Sequence, residues 1–310
     1  MNYVAPRRIR YGSKVAIVAP ASAVKQEQLV EGLDVIRQCG LKPVLGPCAR
    51  NVYSEASVQE KVDELHWAFS DPEISAVICA LGGVGSAAVL PHLDYGLIRR
   101  SRKAFLGRSD ITSLNCGLLS GAGLITINGQ TPSIHIDEGQ RALQLQSQSL
   151  MRTLTLMLSN DNWQSFPFVE QPNIVRTISS GTSYGHAIGC NIDTFTHLIG
   201  TNHLPTTKGA ILFMEDIHKS DKFLERVFLQ LKLSGILGSL AGVVIGEFSD
   251  LKNCHGEDID RLIQEYFSDG PPCIYGLPFS HGSIVAPIPI GATCYLDADS
   301  QDVSFDFRMQ

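Results

Sequence analysis

In the first half of the chain, short apolar runs alternate with stretches whose apolar residues recur every three or four positions. The runs Lys14–Ala19 (KVAIVA), Lys42–Leu45, Ala76–Ala80 (AVICA), Lys103–Gly107 (KAFLG) and Leu124–Ile127 predict strands. Between them, Leu29, Leu33 and Ile36 give Glu27–Cys39 helical spacing, and Ser57–Phe69 predicts an amphipathic helix closed by Ser70-Asp71-Pro72. Ile111–Leu119 opens a further helix, and a long one runs from about Glu138 to Leu158. Strict alternation of this kind implies a parallel sheet flanked by helices, with functional loops at the carboxyl ends of its strands. Two loops fall there: the glycine turn Gly82-Gly83-Val84-Gly85 and the turn around Ser109.

The rhythm is lost between Asn160 and Ser183, where Asp161–Pro167 reads as a linker. It resumes with a strand at Gly209–Met214, a helix at Asp221–Ser234, a strand at Ala241–Gly246 and a helix at Glu257–Phe267. A strand-rich tail follows, with Ile274–Tyr275, Ile288–Ile290, Thr293–Leu296 and Val303–Phe307. The organisation expected is a domain over 1–160, a linker over 161–180 and a second domain over 181–310.

Composition narrows the class. With 310 residues, 44% of them hydrophobic and 18% charged, a sizeable core is expected and disorder is not. A net charge of -6 argues against nucleic acid as a partner. No window approaches the roughly 20 apolar residues of a membrane span, and the basic N-terminus has no apolar stretch behind it. The eight cysteines form no C-x-x-C pair and sit in apolar contexts, so buried free thiols in a cytoplasmic protein are expected.

Candidate chemistry starts at Gly107-Arg108-Ser109-Asp110-Ile111-Thr112. Ser109 lies on a tight strand-to-helix turn, where a helix N-terminus offers free N–H groups to an oxyanion. Taken alone, the segment is explained more often by helix N-capping. The strand GAILFM ends in Glu215-Asp216; Glu215 continues it and can point inward, whereas Asp216 reads as a solvated loop residue. His281, in a turn between Pro278 and Gly282, is placed to take a serine proton with Glu215 orienting it. The glycine turn lacks a P-loop lysine and the full dinucleotide spacing. As a donor of backbone N–H groups, Gly83 in particular, it would join Asp110 in an oxyanion hole. The spacing of His135, His186, His197, His203, His218 and His255 favours no metal site. Ile111 occupies the last glycine position of G-x-S-x-G, which argues against the α/β-hydrolase fold.

Taken together, these segments resemble the serine peptidase family of LD-carboxypeptidases and microcin C immunity proteins. The resemblance rests on Ala76–Tyr95, on GRSDIT, on Gly185–Thr201 (GHAIGCNIDTFTHLIGT), on Ile211–Leu237, and on GLPFSHG with PIPIG. It implies Ser109 as nucleophile, Glu215 as triad acid and His281 as general base. It also implies an α/β fold, with an N-terminal Rossmann-like (flavodoxin-like) parallel sheet domain and a C-terminal swivelling β/β/α domain, the site between them. A homodimer needing neither metal nor cofactor is implied as well.

Some positions depart from the family pattern. Leu81 stands where LD-carboxypeptidases usually carry Arg, as in the microcin-immunity branch. Gly85 and Gly282 are closer to the carboxypeptidase branch. Asn128-Gly129-Gln130 replaces a His-Gly-Pro-like segment, and Arg108 replaces an aromatic. Arg108, Gly82 and Gly85 are the candidate substrate contacts; Arg108 suits a carboxylate or phosphate, or else faces solvent. The first expectation is a metal-independent L,D-carboxypeptidase acting on murein tetrapeptide. The alternatives are a microcin C immunity-type hydrolase of peptidyl or aminoacyl adenylates and a non-catalytic binding protein on the same fold.

Overall fold

The structure is a computed structural model that describes residues 3–50, 55–134, 139–159, 162, 175–252, 256–279, 281–282 and 284–310. Most of the expected linker, His135, His255 and Cys254 lie outside them. Five strands of the first half, β1 (Lys14–Val18), β2 (Lys42–Leu45), β3 (Ile74–Cys79), β4 (Ala104–Gly107) and β5 (Thr126–Asn128), are parallel in the order 5-4-3-1-2. The four central β1, β3, β4 and β5 carry almost wholly buried side chains, as a sheet covered on both faces requires. Helices α1 (Gln26–Gln38), α2 (Pro47–Arg50), α3 (Val58–Ser70), α4 (Tyr95–Ser101), α5 (Thr112–Ala122) and α6 (Gln140–Leu158) connect or follow these strands. Ser57 starts α3 with a capping box, its hydroxyl taking the Glu60 N–H while Glu60 reaches back.

The second half builds a seven-stranded sheet. Its parallel centre is β7 (Thr182–Asn191), β8 (Ile211–Ile217), β9 (Gly242–Ser249) and β10 (Cys273–Leu277). Antiparallel β6 (Arg176–Ser179) closes one edge, and β12 (Thr293–Asp297) with β13 (Asp302–Asp306) closes the other. Helices α7 (Ile192–Thr196), α8 (Asp221–Leu233) and α9 (Gly256–Phe267) pack on it. The tail strand β11 (Ile288–Ile290) leaves this sheet and pairs antiparallel with β5, so the first sheet has six strands and is mixed. The chain then returns at once, since the Gly291 N–H reaches the Ala187 carbonyl and the Ala187 N–H that of Ala292.

The seven cysteines among the described residues are free and buried. No helix among those residues is long and apolar enough to cross a membrane.

Candidate active site

Ser109 is separated from β4 by Arg108 alone and starts a single 3-10 turn that leads into α5. Its φ is 62°, a left-handed conformation that costs a non-glycine residue about 1–3 kcal/mol. No side-chain cap hydrogen bond is made at the start of this turn or of α5, and the Ser109 hydroxyl meets His281 instead. Gly82, just past β3, makes room for it: a Cβ there would stand 2.8 Å from the Ser109 Cβ and 3.2 Å from its Oγ.

Glu215 and His281 come from the second half. The β8–β9 register shifts between Met214 and Asp216, and such an irregularity re-aims side chains. As a result both Glu215 and Asp216, adjacent in sequence, are buried. His281 lies after β10 and spans the two halves. Its Nδ1 is 2.7 Å from Glu215 Oε2, and its Nε2 is 3.0 Å from Ser109 Oγ. With the Nδ1 proton donated to the carboxylate, Nε2 is left as the acceptor for the serine O–H. A hydroxyl, an imidazole and a buried carboxylate in series form a nucleophile, its base and the group that orients the base.

The other candidates lie around this line. The Asp110 carboxylate takes the Ser86 N–H (2.8 Å) and its carbonyl takes the Ser86 hydroxyl (2.7 Å), binding the glycine turn to the nucleophile turn. Among the described residues, the Asp110, Gly82 and Gly83 amides have no backbone acceptor. Arg108 is half-buried in extended backbone. Gly85, at φ 106°, lies on the far side of the turn, where a Cβ would stand 3.9 Å from Lys61 Nζ.

Asp216 corrects the sequence reading. It is not a solvated loop residue but 2% exposed within β8. It accepts from Asn191 Nδ2 (3.1 Å), the Asp193 N–H (3.1 Å) and the Ile217 N–H (2.8 Å). Burial, reinforced by the Glu215 charge, pushes its carboxyl up to about 6. Lys219 pairs with Asp193 and lies 3.8 Å from Asp216.

Asn191 is the other residue without an assigned role in the sequence. It caps α7 through Thr194, touches Glu215 Oε1 at 3.5 Å, and its N–H donates to Thr112 Oγ1 at 3.1 Å, on the nucleophile's helix. The available signal was Asn at a strand end before a helix, a favoured N-cap position. The nearby thiols are closed to this chemistry, because burial raises Cys116 to about 12 and holds Cys79 and Cys190 well above the ordinary thiol value.

Sequence models of two domains fit this chain. That of the LD-carboxypeptidase N-terminal domain matches residues 15–129, and that of the LD-carboxypeptidase C-terminal domain matches residues 184–296. The chain belongs to the family of LD-carboxypeptidases and microcin C immunity proteins. Family membership makes it a serine-type hydrolase of the carboxypeptidase class, acting on peptide or peptidyl-nucleotide substrates. The Bacillus subtilis protein named probable murein peptide carboxypeptidase is 29% identical over 94% of this chain and 91% of its own length. The Escherichia coli microcin C7 self-immunity protein MccF is 26% identical over 92% of this chain and 90% of its own. The fold is that of MccF solved in complex with aspartyl sulfamoyl adenosine, with a TM-score of 0.85 at 21% identity, covering 99% of this chain and 100% of that one.

Proposed function

We propose that Ser109, His281 and Glu215 form the catalytic triad of this hydrolase. The observation that carries the reading is the pair of hydrogen bonds at 3.0 Å and 2.7 Å, which joins a strained serine of the first half to a histidine and carboxylate of the second. Ser109 Oγ attacks the scissile carbonyl carbon while His281 Nε2 takes its proton. Glu215 holds the Nδ1–H tautomer and stabilises the imidazolium. The amides of Asp110 and Gly83 receive the oxyanion. As the tetrahedral adduct collapses, the C–N bond breaks and the amine leaves with the proton from His281. Water, deprotonated by the same imidazole, then releases the acyl group from Ser109 and restores the hydroxyl.

For the substrate, an aminoacyl or peptidyl nucleotide ranks ahead of a murein tetrapeptide. The half-buried, core-packed Leu81 leaves the position before the paired glycines without a cation for a peptide's terminal carboxylate. The similarity in fold to MccF bound to an aspartyl sulfamoyl nucleoside supports the same order. Murein tetrapeptide is the second reading, favoured by the Bacillus subtilis relative.

Mass spectrometry of the protein incubated with each substrate class separates the two. Release of the amino acid from an aminoacyl sulfamoyl adenosine supports the first; release of D-Ala alone overturns it in favour of the second. Ser109→Ala is expected to abolish both turnover and labelling by a fluorophosphonate, and Glu215→Gln to slow turnover by about 10³–10⁴. A fully active Ser109→Ala variant excludes the triad. A wild-type protein that takes no label and turns over neither substrate favours a binding protein on this fold.

A further inference from the structure

β1 and β3 lie side by side where the strand order of the first sheet reverses, and the segments leaving their carboxyl ends face each other across that crevice. The segment after β1 carries Ser22; the segment after β3 is the glycine turn. Ser22 holds the turn at two points. Its N–H donates to the Gly82 carbonyl (3.3 Å), and its Oγ accepts the Val84 N–H (3.0 Å). The fit is close, since Gly83 has φ 103° and a Cβ on it would stand 2.3 Å from Ser22 Oγ. The turn is thus clasped, with Gly83 against Ser22 and Gly82 against Ser109.

Peptide geometry then decides where the donors point. None of the described peptide bonds is cis, and in a trans unit the N–H of residue 83 is antiparallel to the carbonyl of residue 82. The Gly82 carbonyl faces Ser22, so the Gly83 N–H points away from Ser22, on the side of the Gly82 Cα in a trans unit, and Gly82 is the residue packed against Ser109. The Val84 N–H is consumed by the Ser22 hydroxyl and the Ser86 N–H by Asp110. The Gly83 amide is left as the outward donor of a peptide pair whose plane Ser22 sets. The root of the Ser22 segment is itself anchored, because the buried Glu64 carboxylate accepts the Ala19 N–H at 2.7 Å.

We propose that Ser22 is a positioning residue that aims the Gly83 amide at the oxyanion formed when Ser109 attacks. The proposal rests on the triad reading above. A glycine turn free to rotate this peptide presents the donor only part of the time, and a displacement of about 1 Å can cost a site on the order of 10²-fold. Because the amide meets charge that exists only in the transition state, the loss falls on kcat and not on KM.

The experiment compares wild type, Ser22→Ala, Ser22→Thr and Ser109→Ala on whichever substrate the wild type turns over. Ser22→Ala is expected to lower kcat by about 10–100-fold with KM within about threefold, and Ser22→Thr, which keeps the hydroxyl, to restore most of it. Should Ser22→Ala fail to fold, Ser22→Cys keeps the size with a weaker acceptor and is read the same way. Unchanged kcat in Ser22→Ala, or equal losses in Ser22→Ala and Ser22→Thr, overturns the proposal. An active Ser109→Ala overturns the triad reading instead, so the two failures are distinguishable.

Discussion

Ser109 holds a conformation that stability alone does not favour. If its φ of 62° is strain kept for chemistry, relieving it shows in denaturation. Ser109→Gly, which accepts this φ freely, is expected to be about 1 kcal/mol more stable than Ser109→Ala in urea unfolding, although both are inactive. Asp216 gives a residue-level test with a sign. Its folded value of about 6 lies above the ordinary 3.8, so the folded state holds this proton more tightly than the unfolded one. Its contribution to stability is full below about pH 4 and falls as pH rises to about 6. Asp216→Asn removes that fall. Relative to wild type, the variant is expected to gain stability between pH 4 and pH 7, read from unfolding midpoints at both. Ser109, Glu215 and His281 could be singled out in the sequence because each sits in a distinctive motif at or just past a strand, and the structure brings the three side chains together. Asp216 was not, because a register shift in β8 turns two consecutive carboxylates into the protein, where strand alternation predicts one outward.

At the scale of elements, the five strands of the first half and its helices α1, α3, α5 and α6 were legible, since buried strands of a doubly covered sheet are short continuous apolar runs, whereas the short α2 and α4 were not. β7 escaped because its first half is Thr182-Ser183-Tyr184-Gly185-His186, polar and partly exposed. Its glycines serve close approach to β8: a Cβ at Gly189 would stand 2.3 Å from the Phe213 carbonyl oxygen. No periodicity encodes such a contact. Glu64, inside an amphipathic helix, hid a similar role. Its buried carboxylate accepts the Ala19, Cys48 and Ala49 amides, tying the end of β1 to the start of α2. Desolvation holds it above the usual carboxylate range. Glu64→Ala orphans all three donors and is expected to cost roughly 3 kcal/mol in chemical denaturation; Glu64→Gln, retaining one oxygen, costs less.

For the whole molecule, the two sheets are joined by more than a linker. β11 seals the β5 edge, and Asn191 reaches Thr112. His203 meets Tyr95 (Nδ1 to hydroxyl, 3.2 Å) and takes the Ser120 hydroxyl on its carbonyl. The Gln310 N–H binds the Pro6 carbonyl at 2.9 Å. The tail was legible as strand-rich, but not its division between sheets, because antiparallel pairing so distant in sequence leaves no local trace. A fragment of residues 1–159 made alone leaves Thr126–Asn128 as an open edge, and it is expected to elute as aggregate in size-exclusion chromatography where the full chain does not. A monodisperse, folded fragment shows the strand to be dispensable.

The return of β11 also sets a schedule. A chain emerging from the ribosome makes β5 early, yet the strand that closes this edge is translated about 160 residues later, tens of seconds at the slow end of synthesis rates. His281 emerges only shortly before it. The first sheet is therefore completed at almost the same point of synthesis at which His281 becomes available, and the nascent chain cannot line up serine, imidazole and carboxylate until the 172 positions from Ser109 to His281 have been made.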